Sequence, residues 1–252
     1  MNRSFRRIFV LLLLTSVPTL SMAQLEDQAV SFSYRFGMGK IPYHKLDTDS
    51  EIVPHAYTGG KRWGRSNEFD VTWHFIPNLG ASLQLGGSAF RIDTLALEKK
   101  LLERYTGNFV NTMIPRDYRF VDLAIGPTGF FAIDKFYIQT GALIGTTFQS
   151  KFDYDVYLYD YRGYPSHTYQ YHSRGPAGWM AEGNCRIGFL TDGDVRLGFF
   201  AGGSYRYIHN RVKVNETHLD AGNRNVTTRT EKFTMDVQIW QVQIGMQVLL
   251  GG

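Results

Sequence analysis

One cysteine, Cys185, occurs in 252 residues, so no intrachain disulfide and no thiolate metal cluster can form. After residue 23 no stretch approaches the ~18 apolar residues of a membrane-spanning helix. Any membrane crossing must then be made by a closed sheet, because lipid leaves an open sheet edge without hydrogen-bond partners. The phosphate-cradling glycine loop, the GxSxG elbow, the HExxH helix and the CxxC pair are all missing. No cofactor and no metal is expected. The sequons Asn215-Glu216-Thr217 and Asn225-Val226-Thr227 imply no glycan in a barrel that never meets the enzyme that reads them.

What is present at the start is an export signal. Arg3, Arg6 and Arg7 form a charged segment, Ile8 to Leu14 an apolar core too short to span a bilayer, and Ser21-Met22-Ala23 a small-x-small cleavage site. Residues 1–23 are expected to leave, with residues 24–252 forming one domain. The chain carries a net charge of +4, and its leader holds three arginines and no acid, so the remainder is near +1. Such a balance gives no reason to expect a nucleic-acid partner.

The rest alternates. From Trp240 the even positions read Trp240, Val242, Ile244, Met246, Val248 and Leu250; between them lie Gln241, Gln243, Gly245 and Gln247. Successive strand side chains point to opposite faces, so one face is apolar and the other polar. The same pattern marks strands over about 30–38, 68–76, 79–90, 121–133, 136–149, 179–189, 195–207 and 236–250. Pro127 predicts a bulge in the fourth. No lysine lies inside any of these strands, although water-facing strands ordinarily use it. The connections Pro77-Asn78, Asp134-Lys135 and Thr191-Asp192-Gly193-Asp194 are short, while those between run to tens of residues. The expected fold is all-β: an eight-stranded antiparallel up-and-down transmembrane β-barrel with short periplasmic turns and long extracellular loops. The alternative is a soluble periplasmic lipocalin-like barrel, with Phe32, Trp73, Ile144 and Trp240 turned inward around a ligand.

By strand count, facing and loop alternation the chain resembles the eight-stranded outer-membrane barrels of the OmpA and OmpX type over nearly its whole mature length. The resemblance implies a Gram-negative-type outer membrane, insertion by the barrel-assembly machinery, and contact with outer-membrane lipids and lipopolysaccharide. A porin's open channel needs more strands. The polar face is expected to place Arg35, Arg186, Arg196 and Arg206 against Glu68, Asp70, Asp122, Glu182 and Asp236 in the lumen, as a salt-bridged plug, with His74 hydrogen-bonded nearby.

Residues 149–174 carry Tyr154, Tyr157, Tyr159, Tyr161, Tyr164, Tyr169 and Tyr171 on two alternating arms about Arg162-Gly163-Tyr164-Pro165. They read as a hairpin continuing beyond the bilayer. Tyrosine offers large contact area at small entropic cost, so an adhesion-type role toward extracellular protein or glycan is one expectation; rings packed within an interface belt are the other. Residues 93–105 read as a short helix capped by Asp93 or Thr94. Lys61, Arg62 and Arg65 suit either anionic lipopolysaccharide or plain solvation. The rival function is lipid A modification of the acyltransferase or deacylase type, resembling small outer-membrane enzymes, with Ser166, His167, Ser173, His209 and Asp160 as rim candidates. His167 and His172 lie five apart with no third metal ligand evident.

Overall fold

A computed structural model describes residues 29–47, 63–76, 78–90, 99, 102–103, 109–113, 118–149, 153–174, 177–220 and 225–250. The segment read as an export signal, Lys61 and Arg62 lie outside them, as does most of the segment read as a helix; Lys99, Leu102 and Glu103 are helical.

Among the described residues eleven strands form: β1 (Val30–Asp47), β2 (Trp63–Ile76), β3 (Leu79–Phe90), β4 (Phe109–Met113), β5 (Tyr118–Ile133), β6 (Phe136–Gln149), β7 (Asp153–Tyr159), β8 (Pro165–Arg174), β9 (Ala177–Leu190), β10 (Val195–Asp220) and β11 (Asn225–Leu250). Eight of them, β1, β2, β3, β5, β6, β9, β10 and β11, pair in sequence order, and β11 returns to β1 to close the ring. Every pairing is antiparallel. The other three, β8, β7 and β4, form a side sheet on the upper half of β10.

Facing within the ring follows the alternation. Phe32, Trp73, Ile144 and Trp240 lie on the outside, with Ile144 68% and Trp240 58% exposed, while Ser33, Arg35, Gln84, Gln241 and Gln243 are buried inside. That excludes an internal pocket walled by those four residues. The outer band ends in aromatic rings at both levels. Trp179 lies 5.3 Å from Tyr207 and Tyr205 4.8 Å from Trp240 on the loop side; Trp73 lies 6.2 Å from Phe75 and Phe189 5.6 Å from Phe199 on the turn side. An apolar belt between two aromatic girdles is the exterior a lipid bilayer selects.

The turn end is tied together. Asp134 takes a left-handed φ of 55° in its tight turn, and Gly193 a φ of 119° in the next one. The Leu190 N–H donates to the Lys135 carbonyl at 2.7 Å, and Lys135 Nζ meets Asp192 at 2.5 Å.

Pro127 makes no bulge. The β5–β6 pairing skips residues 126 and 127 but resumes in the same register, and Pro127 itself faces Ala81 of β3 in register. The missing N–H removes one ladder bond without adding a residue. Within the ring the register shifts lie elsewhere, between Lys40 and Tyr43 of β1 and between His74 and Ile76 of β2.

β5 and β6 approach closely through glycine. A Cβ on Gly145 would stand 2.0 Å from the Leu123 carbonyl oxygen and 2.5 Å from the Ala124 Cα. Because backbone cannot yield as a side-chain tip does, Gly145→Val is expected to cost at least roughly 1–3 kcal/mol, read as a lower urea midpoint for the lipid-inserted barrel.

Candidate functional site: the lumen and the extracellular sheet

Two fully buried arginines organise the lumen. Arg35 of β1 contacts its cross-strand partner Glu68 through Nε, and its Nη2 reaches Gln84 at 2.6 Å, Glu182 at 3.1 Å and Asp70 at 3.3 Å. Arg206 of β10 pairs across to Glu182 of β9 at 2.7 Å, to Asp122 of β5 at 2.6 Å and to Glu68 of β2 at 2.6 Å. Arg186 adds Asp70 at 2.8 Å and Ser33 at 3.1 Å. Gln243 donates to Glu68 at 3.1 Å. Arg206 thus bonds to walls on three other strands. Three guanidiniums face four carboxylates, each oriented by cross-strand register.

Two of the residues assigned to this set lie apart from it. Arg196 is half-buried near the turn end. Asp236 lies on the outer face, where it meets His209 at 2.6 Å. Its neighbours Met235 and Val237 are the inward pair, both fully buried. His74 is inside, 3.5 Å from Ser31 and edge-on to Phe130.

Apolar layers bracket the charges. On the turn side Ala29, Phe130, Ala132, Tyr137, Leu190, Phe200 and Leu249 pack together. On the loop side Ile41, Phe90, Phe120, Leu158, Met180, Ile208, Val212 and Met235 belong to a larger cluster. At this second layer the apolar residues change sides, while the alternation of facing runs on unbroken. In β10 the outward apolar residues end at Tyr207, and above it Ile208, Val212 and Val214 are buried inward. In β11 Met235, Val237 and Ile239 point in, whereas from Trp240 onward the apolar side points out. Below the boundary the outside solvent is lipid; above it the outside is water, and apolar residues turn to the interior.

β10 and β11 are 26 residues each, well beyond the ~9–11 a tilted strand needs to cross hydrocarbon. Their upper halves continue as the pair from Arg211↔Thr234 to Asp220↔Asn225, and β8, β7 and β4 extend that sheet sideways. The hairpin β7–β8 ends in a tied tip. The Asp160 carboxylate accepts from the N–H groups of Arg162 at 2.8 Å and Tyr164 at 3.0 Å, and Gly163 takes a φ of 80°. Tyr161 and Tyr164 are 73% and 68% exposed, and the Arg162 guanidinium lies 5.1 Å from the Tyr161 ring. Tyr157 and Tyr159 are half-buried on the outer side, while Tyr169 and Tyr171 face inward and are buried in the loop-side cluster. The side chain of Tyr154 lies outside the described residues.

The described rim candidates for catalysis do not converge, and the side chain of Ser173 lies outside the described residues. Asp160 holds the tip, Ser166 donates to the Leu158 carbonyl at 3.0 Å, and His209 faces outward beside Trp179. His167 faces the opposite way, with its Nδ1 3.2 Å from Nε2 of His218. His172 is exposed on the other side of β8. Burial first, and the neighbouring imidazole second, hold His218 below its ordinary pKa. Sequence spacing had singled out His172; cross-strand pairing of Asp220 with His167 and His218 with Tyr169 brings in His218 instead.

No protein-family model matches the chain, and no curated protein matches it in sequence. Solved structures do. OprG, an outer membrane protein of Pseudomonas aeruginosa, is 11% identical, with 92% of this chain and 100% of that one covered at a TM-score of 0.48. Neisserial surface protein A is 12% identical, covering 88% and 96% at 0.44. Ail, the attachment invasion locus protein of Yersinia pestis, is 10% identical, covering 88% and 99% at 0.38. With its closed ring of eight strands, apolar outside and charged inside, the chain has the fold of the small outer-membrane β-barrels.

Proposed function

We propose that this outer-membrane barrel is a surface-interaction protein of the adhesion type. Its membrane ring is the anchor, and its extracellular sheet presents the tip Tyr161, Arg162 and Tyr164, flanked by Tyr157 and Tyr159, to an extracellular protein or glycan. The observation that carries this is the tied tip: Asp160 fixes the turn from within, so large rings and a guanidinium are displayed without the ordering cost of a free loop. Tyr and Arg are the residues that dominate binding hot spots. The charged lumen, sandwiched between apolar layers, acts as a structural plug and not as a conduit.

The anchor's partners are lipid, lipopolysaccharide and, during insertion, the barrel-assembly machinery. Lys40, Arg65, Arg119, Arg211 and Lys232 are exposed, near or above the outer aromatic girdle. Lys213 and Lys232 stand directly opposite each other, an arrangement unfavourable by itself and relieved by bound anions. Lipopolysaccharide phosphates supply such anions.

The test uses cells carrying the full chain on surfaces coated with extracellular-matrix proteins or sulfated glycan. Replacing Tyr161, Arg162 and Tyr164 together by alanine is expected to lower attachment at least tenfold, about 1.4 kcal/mol, while the heat-dependent gel shift of the folded barrel stays as it was. Unchanged attachment, or none by the parent chain above barrel-free cells, overturns the proposal.

A further inference from the structure

The lipid-facing wall is not evenly filled. Between the girdles its outward positions carry large side chains such as Leu83, Ile125, Ile144, Ile187 and Val242, all exposed. Across β5, β6, β9 and β10 they give way to a depression of about 570 Å³, floored by Pro127, Ala142, Gly183, Cys185 and Gly203. Register sets the floor side by side: Ala142 faces Gly183, Cys185 faces Gly203, and the row of Gly183 continues to Tyr205 and then Trp240. A Cβ on Gly183 would meet no atom within 4 Å, so its missing side chain leaves open space outside the wall.

The depression has a direction. From β5 to β11 it crosses four strand spacings, ~19 Å. Rows in a barrel whose strands tilt by ~35–45° climb at that same angle, so the groove rises roughly 11–13 Å. That is most of the ~15 Å of hydrocarbon in one leaflet. It ends at the loop-side girdle on Tyr205 and Trp240, which places it in the outer leaflet. The next position in the row beyond Trp240 is Lys40 of β1, exposed on the same outer face, and after it comes Trp63 of β2. The groove is thus uncharged along its length, with a cation just above its upper end.

We propose that the groove holds one acyl chain of a lipopolysaccharide molecule whose lipid A phosphate pairs with Lys40. Inside a bilayer, covering apolar surface brings no hydrophobic gain, so the chain is held by dispersion contacts that an unfilled hollow forfeits. The ion pair at the headgroup level selects an anionic lipid and fixes which end is up. The inference rests on the lipid anchorage proposed above and not on the adhesion role.

The experiment is native mass spectrometry of the full barrel, refolded in detergent without lipopolysaccharide and titrated with lipid A. One lipid A per barrel is expected to be retained. Gly183→Phe builds into open space, should keep the heat-dependent gel shift and surface attachment, and is expected to weaken retention by roughly tenfold or more. Lys40→Gln should weaken retention of lipid A but not of its dephosphorylated form. Absence of retained lipid A on the parent barrel overturns the proposal, as does parent-like retention by Gly183→Phe. Equal retention of phosphatidylglycerol overturns the assignment to lipopolysaccharide. A dimer of the parent that Gly183→Phe dissociates overturns it as well, by making the groove a contact between copies.

Discussion

Arg206→Met is expected to destabilise the barrel by about 3–5 kcal/mol, the cost of leaving buried charges without their partner. Arg206 serves Glu182, Asp122 and Glu68 at once, and all of these groups are shut away from water. Methionine fills much of the volume but neutralises none of the three carboxylates. The loss should be partly recovered in the double variant Arg206→Met, Glu182→Gln, because one of the stranded charges is then gone; a double-mutant cycle reads that coupling. Urea unfolding of the lipid-inserted barrel, followed by tryptophan fluorescence and by the gel shift, measures both. A loss below about 1 kcal/mol would mean that water reaches the network and screens it. The lumen would then be a hydrated path, and the plug assigned to it would have to be given up.

The membrane ring was legible because lipid enforces alternation strictly. Phe32, Tyr34, Phe36 and Met38 against Ser31, Ser33, Arg35 and Gly37 separate two faces, and the absence of lysine from the strands favours turning the apolar one outward, where the structure has it. The same rule misled where the solvent changes. Asp236, placed by the pattern in the lumen, sits at an even position on the outer face, as does Gln238. Above the boundary polar residues point out to water, and Val237 and Ile239 take the inner side. A continuous polar face would have required a one-residue slip, which the unbroken β10–β11 register rules out. Val212 and Val214 alternate with Arg211 and Lys213 in the opposite phase to the strand below, beyond the predicted bounds 195–207, and β10 runs on through them. Composition alone groups Tyr169 and Tyr171 with Tyr161 and Tyr164, although residues 169 and 171 lie on the inner side of β8. His218 could not be found from spacing at all. It meets His167 only because β10 extends to Asp220 and pairs with β8, a contact between residues 51 apart.

That reversal of phase makes the second large effect position-dependent along a single strand. Ile244 and Thr228 both lie on the outer face of β11 and both are exposed. Ile244 sits in the apolar band between Trp240 and Leu250, whereas Thr228 sits far above the girdle, opposite Thr217. Ile244→Arg is expected to cost about 2–4 kcal/mol, since a guanidinium near the bilayer midplane must be solvated by deforming the lipid. Thr228→Arg is expected to change stability by no more than about 0.5 kcal/mol, because its side chain already stands in water. Folding into vesicles against a urea series reads both. Equal costs at the two sites would place them in one solvent and remove the boundary at Tyr207 and Trp240. Unequal costs in the expected direction would locate that boundary by energy and not by pattern, and with it the height at which the barrel wall ceases to be an anchor and becomes the extracellular sheet.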